Sequence, residues 1–137
     1  MSFQKIDLED KTRSADRISV MVYGYDENEI KILKAYCDEH LIEHFIPVND
    51  AMIDMSLEGI LKLDQTEASP AQSLPAKAVI MNGFSGSDLQ AFLRGFKNTG
   101  LERPIFATVT PVSKVWPFKL LINELIKEHE MMKNRTK

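Results

Sequence analysis

Apolar residues gather in four short, nearly continuous runs, Ile18–Tyr23, Glu43–Val48, Lys77–Met81 and Pro104–Val109, and each is followed by a stretch whose apolar positions recur at intervals of three and four. Short runs rich in β-branched residues read as strands buried on both faces, and the longer period reads as helix. The chain therefore predicts β-α-β-α-β-α-β-α. Such alternation argues for a parallel sheet with crossover helices across both faces. The expected fold is α/β: a single three-layer α-β-α domain on a four-stranded parallel sheet of order 2-1-3-4, flavodoxin- or receiver-like but truncated.

Local signals place the helices. Asp26 stands three residues before Glu29, a capping-box spacing, and Ile30, Leu33, Cys37 and Leu41 make the buried stripe of the first helix. Asn49 and Asp50 can cap a second helix with Ile53, Leu57, Ile60 and Leu61 inside, while Met52, Met55 and Leu63 give it an apolar flank suited to self-association. Leu89, Phe92, Leu93 and Phe96 form the stripe of the third, which Gly100 ends as a left-handed cap. Pro117 suits the first turn of the fourth, buried through Phe118, Leu121, Ile122 and Leu125. Residues 1–17 read as a polar arm, 18–133 as the domain, 64–76 as an exposed, proline-bearing connection, and 134–137 as a tail. No internal sequence repeat stands out beyond this alternation.

Composition narrows the class. The 137 residues carry a net charge of −3 with both signs interspersed, which supplies no basic footprint for nucleic acid and no polybasic run for a membrane surface. No apolar stretch nears the roughly 18 residues of a membrane span. The single cysteine, Cys37, cannot form an internal bridge and sits on a helix's apolar stripe, so it reads as a core residue in a reducing, cytoplasmic setting.

In an all-parallel sheet, ligands bind beyond the carboxyl ends of the strands, where neighbouring crossovers leave on opposite faces. That geometry places one crevice between strands one and three, lined by Tyr25 and Asp26 from one loop, Asn82, Ser85 and Ser87 from the other, and Thr108 and Thr110 alongside. Its glycines, hydroxyls and amide could hold a small polar ligand. The same residue types are also common turn formers and helix caps.

Literal motifs carry little. Gly83-Phe84-Ser85-Gly86-Ser87 approaches a nucleophile elbow, but the only later histidine, His129, lies at the far end of the last helix. His40-Leu41-Ile42-Glu43-His44 has the H-x-x-E-H spacing of a zinc site, yet it straddles a helix–strand junction, so no metal site is expected. No phosphate-loop or dinucleotide fingerprint occurs, and no cofactor is expected. A receiver domain needs paired acids after strand one and a phosphoacceptor aspartate ending strand three; Tyr25-Asp26 and Asn82 stand there instead. The acidic loop Gly24-Tyr25-Asp26-Glu27 would repel a flavin phosphate.

Val22-Tyr23-Gly24-Tyr25, Pro47-Val48, Met81-Asn82-Gly83-Phe84 and Ala107-Thr108-Val109-Thr110-Pro111 with Trp116 resemble a family of small uncharacterised bacterial proteins catalogued as a domain of unknown function. The resemblance spans Ile18 to Met131. It implies a stand-alone cytoplasmic α/β domain and brings no activity with it. The expected function is a non-catalytic binding or regulatory domain, partnered by itself as a homodimer or by another protein. The alternative is a small enzyme or ligand sensor using Asp26, Asn82, Ser85 and Thr110; it requires Asp26 within hydrogen-bond reach of Ser85 or Asn82.

Overall fold

The computed structural model describes residues 18–63, 66 and 73–135. Along the chain run β1 (Ser19–Tyr23), α1 (Glu27–Glu39), β2 (His44–Pro47), α2 (Leu57–Leu61), β3 (Ala78–Asn82), α3 (Gly86–Gly95), β4 (Ile105–Thr108) and α4 (Phe118–Arg135). Each strand lies within its expected apolar run to within a residue, and the order across the sheet, β2-β1-β3-β4, is the expected one. The directions differ. β1 pairs parallel with β2 and β3 parallel with β4, but β1 and β3 are antiparallel, with Ser19 opposite Asn82 and Tyr23 opposite Ala78. The expectation of a purely parallel sheet is thus corrected to a mixed one.

The cause lies in the link before β3. A crossover helix normally carries the chain back along the whole sheet, but α2 has only five residues, an advance of about 7.5 Å. A five-residue strand is about 16 Å long. By Leu63 the chain has nonetheless reached the start of β2, where the Leu63 carbonyl meets His44; it then returns past Pro47, whose carbonyl accepts from Thr66, to Leu74 at the C-terminal ends of β1 and β2, and enters β3 from that side. Residues 64, 65 and 67–72 of the expected exposed connection lie outside the described residues, as do the expected arm 1–17 and residues 136–137. Leu74 departs from the expectation of exposure because it packs into the core.

Side-chain alternation along the strands sorts the core into two halves. Met21, Ile46, Ile80 and Ala107 face α2 and α4, meeting Leu57, Ile60, Phe118, Leu121 and Ile122. Val20, Val22, Val79 and Met81 face the other way, onto Leu33 and Cys37 of α1 and Leu89 and Phe92 of α3. Burying each such aliphatic or aromatic side chain contributes about 1.5–3 kcal/mol. Cys37 is fully buried and its thiol is pushed up to about 12, mainly by that burial, which agrees with its reading as a core residue.

Two helical expectations change. The helix expected from Asn49 is a short 3-10 turn, Asp50–Met52, followed by α2 under a Ser56 cap. The break is held by the neighbouring segment: the Phe118 amide donates to the Met55 carbonyl at 2.9 Å and the Leu57 amide to the Trp116 carbonyl at 3.0 Å. Leu41 is not on the buried stripe of α1. It lies beyond the helix at φ +58° and is 78% exposed, and Ile42 occupies the core in its place.

A leucine in that left-handed conformation costs about 1–2 kcal/mol, only part of which glycine's larger unfolded-state entropy takes back. Because Leu41 buries little, Leu41→Gly should stabilise the protein, by up to about 1 kcal/mol. A denaturant melt with an unchanged or lower midpoint would contradict this.

Candidate functional site

Antiparallel pairing of β1 with β3 removes the single rim expected from an all-parallel sheet. Each parallel pair keeps a switch point of its own, because α1 and α3 lie on one face and α2 and α4 on the other. Two crevices result, at opposite ends of the sheet. Tyr25 and Asp26 fall at the first, beyond β1 and β2. Asn82, Ser85, Ser87, Thr108 and Thr110 fall at the second, beyond β3 and β4. The rows holding Tyr23 and Asn82 are four strand residues apart, roughly 13 Å, so the two groups share no cleft.

The first crevice is filled by the chain on its way into β3. The Tyr23 hydroxyl donates to Asp50 Oδ1 at 2.7 Å and accepts from the Leu74 amide at 3.1 Å. The Ser73 amide and hydroxyl add further bonds to the same carboxylate oxygen, at 3.2 and 3.1 Å. Hydrogen bonds from Tyr23 and then Ser73 hold the Asp50 carboxyl below its ordinary range, while burial foremost raises the Tyr23 phenol. Beside them, Lys77 Nζ donates to the Gly24 carbonyl at 2.9 Å, lies 3.9 Å from both Glu29 and Glu102, and sits 5.0 Å over the Tyr25 ring. Tyr25 donates to the Glu102 carbonyl at 3.0 Å, and burial, then Glu29 and Glu102, drives its phenol upward. Gly24 adopts φ +91°, and a Cβ there would stand 2.9 Å from the Ala76 carbonyl oxygen, so only glycine lets the two loops approach this closely.

In the second crevice the hydroxyls serve the backbone. Ser85 accepts from the Asp88 amide while Asp88 accepts from the Ser85 amide, a complete capping box for α3. Asp26 and Glu29 do the same for α1, as expected from their spacing. Thr110 and Ser113 bond reciprocally through amide and hydroxyl at 3.0–3.1 Å and close the turn after β4. Ser87, on the first turn of α3, and Thr108, at the end of β4, are half-buried, as is Asn82.

A buried pair that the sequence reading missed joins the trailing ends of β1 and β2. Ser19 Oγ lies 3.0 Å from His44 Nδ1, and His44 Nε2 lies 2.6 Å from the Leu63 carbonyl. The carbonyl can only accept, which puts a proton on Nε2; in the neutral ring Ser19 is then the donor to Nδ1. Both side chains are at most 4% exposed, so this serine–histidine contact ties strands together rather than meeting a substrate. Ser19 and His44 are 25 residues apart, and only knowledge of the strand register could have joined them. His40 ends α1 and packs at a tilt against the Tyr36 ring instead, so the two histidines of the H-x-x-E-H spacing do not share a helix. No cluster of three metal-ligating side chains occurs among the described residues, and no helix among them is long and apolar enough to cross a membrane.

A different concavity crosses the outer edge of β4, a groove of about 800 Å³ reaching from α3 to α4. Its floor is Leu93, Ile105, Phe106 and Leu125, and Arg103 and His129 stand at its rim. Residues 77–132 match the family model of a domain of unknown function, DUF3783. This stretch runs from β3 into α4 and includes Met81-Asn82-Gly83-Phe84 and Ala107–Pro111 among the residues that carry the resemblance; Val22–Tyr25 and Pro47-Val48 fall outside the match. The matched family has no assigned activity. No curated protein and no solved structure matches the chain.

The Asp50 cluster has a pH signature. Its folded-state pKa is depressed, so its contribution to stability is complete above the unfolded value near 3.9 and is lost as pH falls through the folded one. Asp50→Asn should melt a few degrees below the parent at neutral pH, with the gap closing below about pH 4. A gap that persists at pH 2 would show that packing, not charge, is what the variant lost.

Proposed function

We propose that this protein is a non-catalytic binding domain that works as a homodimer, two copies joining β4 to β4 in antiparallel fashion to make one eight-stranded sheet. The observation that carries this reading is the difference between the two sheet edges. On β2 the outward positions are Phe45 and Pro47; Pro47 has no N–H, and the Thr66 hydroxyl donates to its carbonyl at 2.6 Å. That edge is blunted in the way edge strands are commonly protected.

On β4 the amides of Ile105 and Val109 bond to β3, so the alternate residues, Phe106 and Thr108, point their amides and carbonyls away from the sheet, Phe106 beside the apolar groove. A two-fold axis beside this strand pairs those groups with the same groups of a second copy. With one edge blunted, association stops at two copies rather than running on. The catalytic alternative has lost the proximity it required, since Asp26 and Ser85 cap separate helices at opposite ends of the sheet. A lone, buried thiol is in keeping with a reducing cytoplasm.

Light scattering across a concentration series should show the mass moving from one chain to two. Thr108→Lys should weaken the dimer at least about tenfold, the factor given by about 1.4 kcal/mol, while Glu43→Lys at the other edge leaves it intact. A parent chain monomeric at millimolar concentration would sink the proposal.

A further inference from the structure

The two parallel pairs correspond residue by residue. Gly24 and Gly83 both take positive φ, +91° and +82°, directly after β1 and β3. Two residues on, Asp26 and Ser85 open α1 and α3, each with a full capping box. The positive φ of Leu41 recurs at Gly100, +58° against +75°. All three pairs are displaced by 59 positions (24 to 83, 26 to 85, 41 to 100). After the inserted Arg103-Pro104 the displacement becomes 61, matching His44 with Ile105 at the start of β2 and β4, and Ser56 with Pro117 just before α2 and α4.

The relation between the halves is two-fold. The β1–β3 ladder is centred on Met21 opposite Ile80, a pair that is itself displaced by 59. Exchanging the halves turns Ser19 opposite Asn82 into Ala78 opposite Tyr23, which is also a rung of the ladder. Ser56 and Pro117 form a second antiparallel bridge whose two hydrogen bonds, Leu57 amide to Trp116 carbonyl and Phe118 amide to Met55 carbonyl, interconvert under the same exchange. Core positions agree as well: Leu33 with Phe92, Leu57 with Phe118 and Ile60 with Leu121 are all fully buried. Five aligned positions keep the same residue, Val20/Val79, Gly24/Gly83, Glu43/Glu102, Phe45/Phe106 and Val48/Val109. The family match, 77–132, covers one of these units from its strand to its last helix.

We infer that residues 18–63 are a second, diverged copy of the unit at 77–132, and that the face through which the second unit grips the first is a self-recognition surface whose fitting partner is another copy of that unit. The chain is a covalently joined dimer of βαβα units. Antiparallel pairing at the sheet centre follows directly, since an isologous two-fold contact between edge strands makes them antiparallel.

The test keeps the whole chain and replaces residues 18–63 with a second copy of 77–124. The expected product folds, with mixed helix and strand circular dichroism and one cooperative melt. A milder exchange covers the case in which the distant cores clash. Val22 and Met81 occupy equivalent positions beside the axis, both almost fully buried, so Val22→Met and Met81→Val alone should each lower the folded-to-unfolded ratio about tenfold, while the double exchange restores it to within about threefold. A tandem chain without a cooperative melt, together with single-site losses that multiply to about a hundredfold in the double exchange, overturns the inference.

Discussion

The antiparallel ladder between β1 and β3 is the constraint on which the rest of this molecule depends. Five residue pairs at the centre of the sheet join two parallel pairs head to tail, and both strands are buried along their whole length apart from Asn82. Because each parallel pair keeps its own direction, the loops that carry polar groups are dealt to opposite ends. What would have been one rim of seven candidate residues is two crevices, one holding Tyr25 and Asp26 and the other Asn82, Ser85, Ser87, Thr108 and Thr110. No property of those side chains separates them; strand direction alone does.

Strand positions were legible because a strand covered on both faces must be apolar at every residue, and Val20 to Val22 and Val79 to Met81 satisfy this with no break. The same property hid their direction. A one-sided strand advertises its pairing through alternation, whereas a run apolar on both faces reads alike in either sense. What decides direction is the long connection after Leu63: it starts at His44, at the head of β2, and comes back past Pro47 to Tyr23, so β3 begins beside the end of β1. The capping boxes were legible to different degrees, Asp26 with Glu29 as a spacing and Ser85 only as a residue type common in turns and caps. Contacts such as Ser19 with His44 or Tyr23 with Asp50 depend on register and could not be read from local pattern. Leu41 failed for another reason, since helical periodicity continues smoothly through a residue whose backbone has already left the helix.

Buried polar groups bear on function through what they are already doing. Ser19, His44, Ser85, Thr110 and Ser113 are the buried polar residues of the described chain, and each has a partner within 3.1 Å. Leaving any of them unpaired would cost about 1–3 kcal/mol, so recruiting one for chemistry means breaking a cap or a strand tie. A catalytic group is normally spared that conflict by a neighbour that orients it. Here the neighbours are the backbone amides the hydroxyls exist to satisfy. Surfaces that recognise by shape and backbone are free of this cost, which favours the β4 edge over either crevice as the place where the molecule meets something else.

The two-fold relation explains why the edges differ at all. Two copies of one unit would begin with equivalent outer strands, and β2 and β4 still share Phe45 and Phe106 at the same half-buried position. The first copy, however, must lead into the second. Its last helix stops after five residues, and the chain that follows passes β2, where Thr66 takes the outward carbonyl of Pro47, before Ser73 and Leu74 settle on Asp50 and Tyr23. The corresponding helix of the second copy, α4, leads to no further strand among the described residues and extends for 18. The length of α4, the filled first crevice and the open edge of β4 are then three consequences of one asymmetry: of the two described units, the first leads into the second.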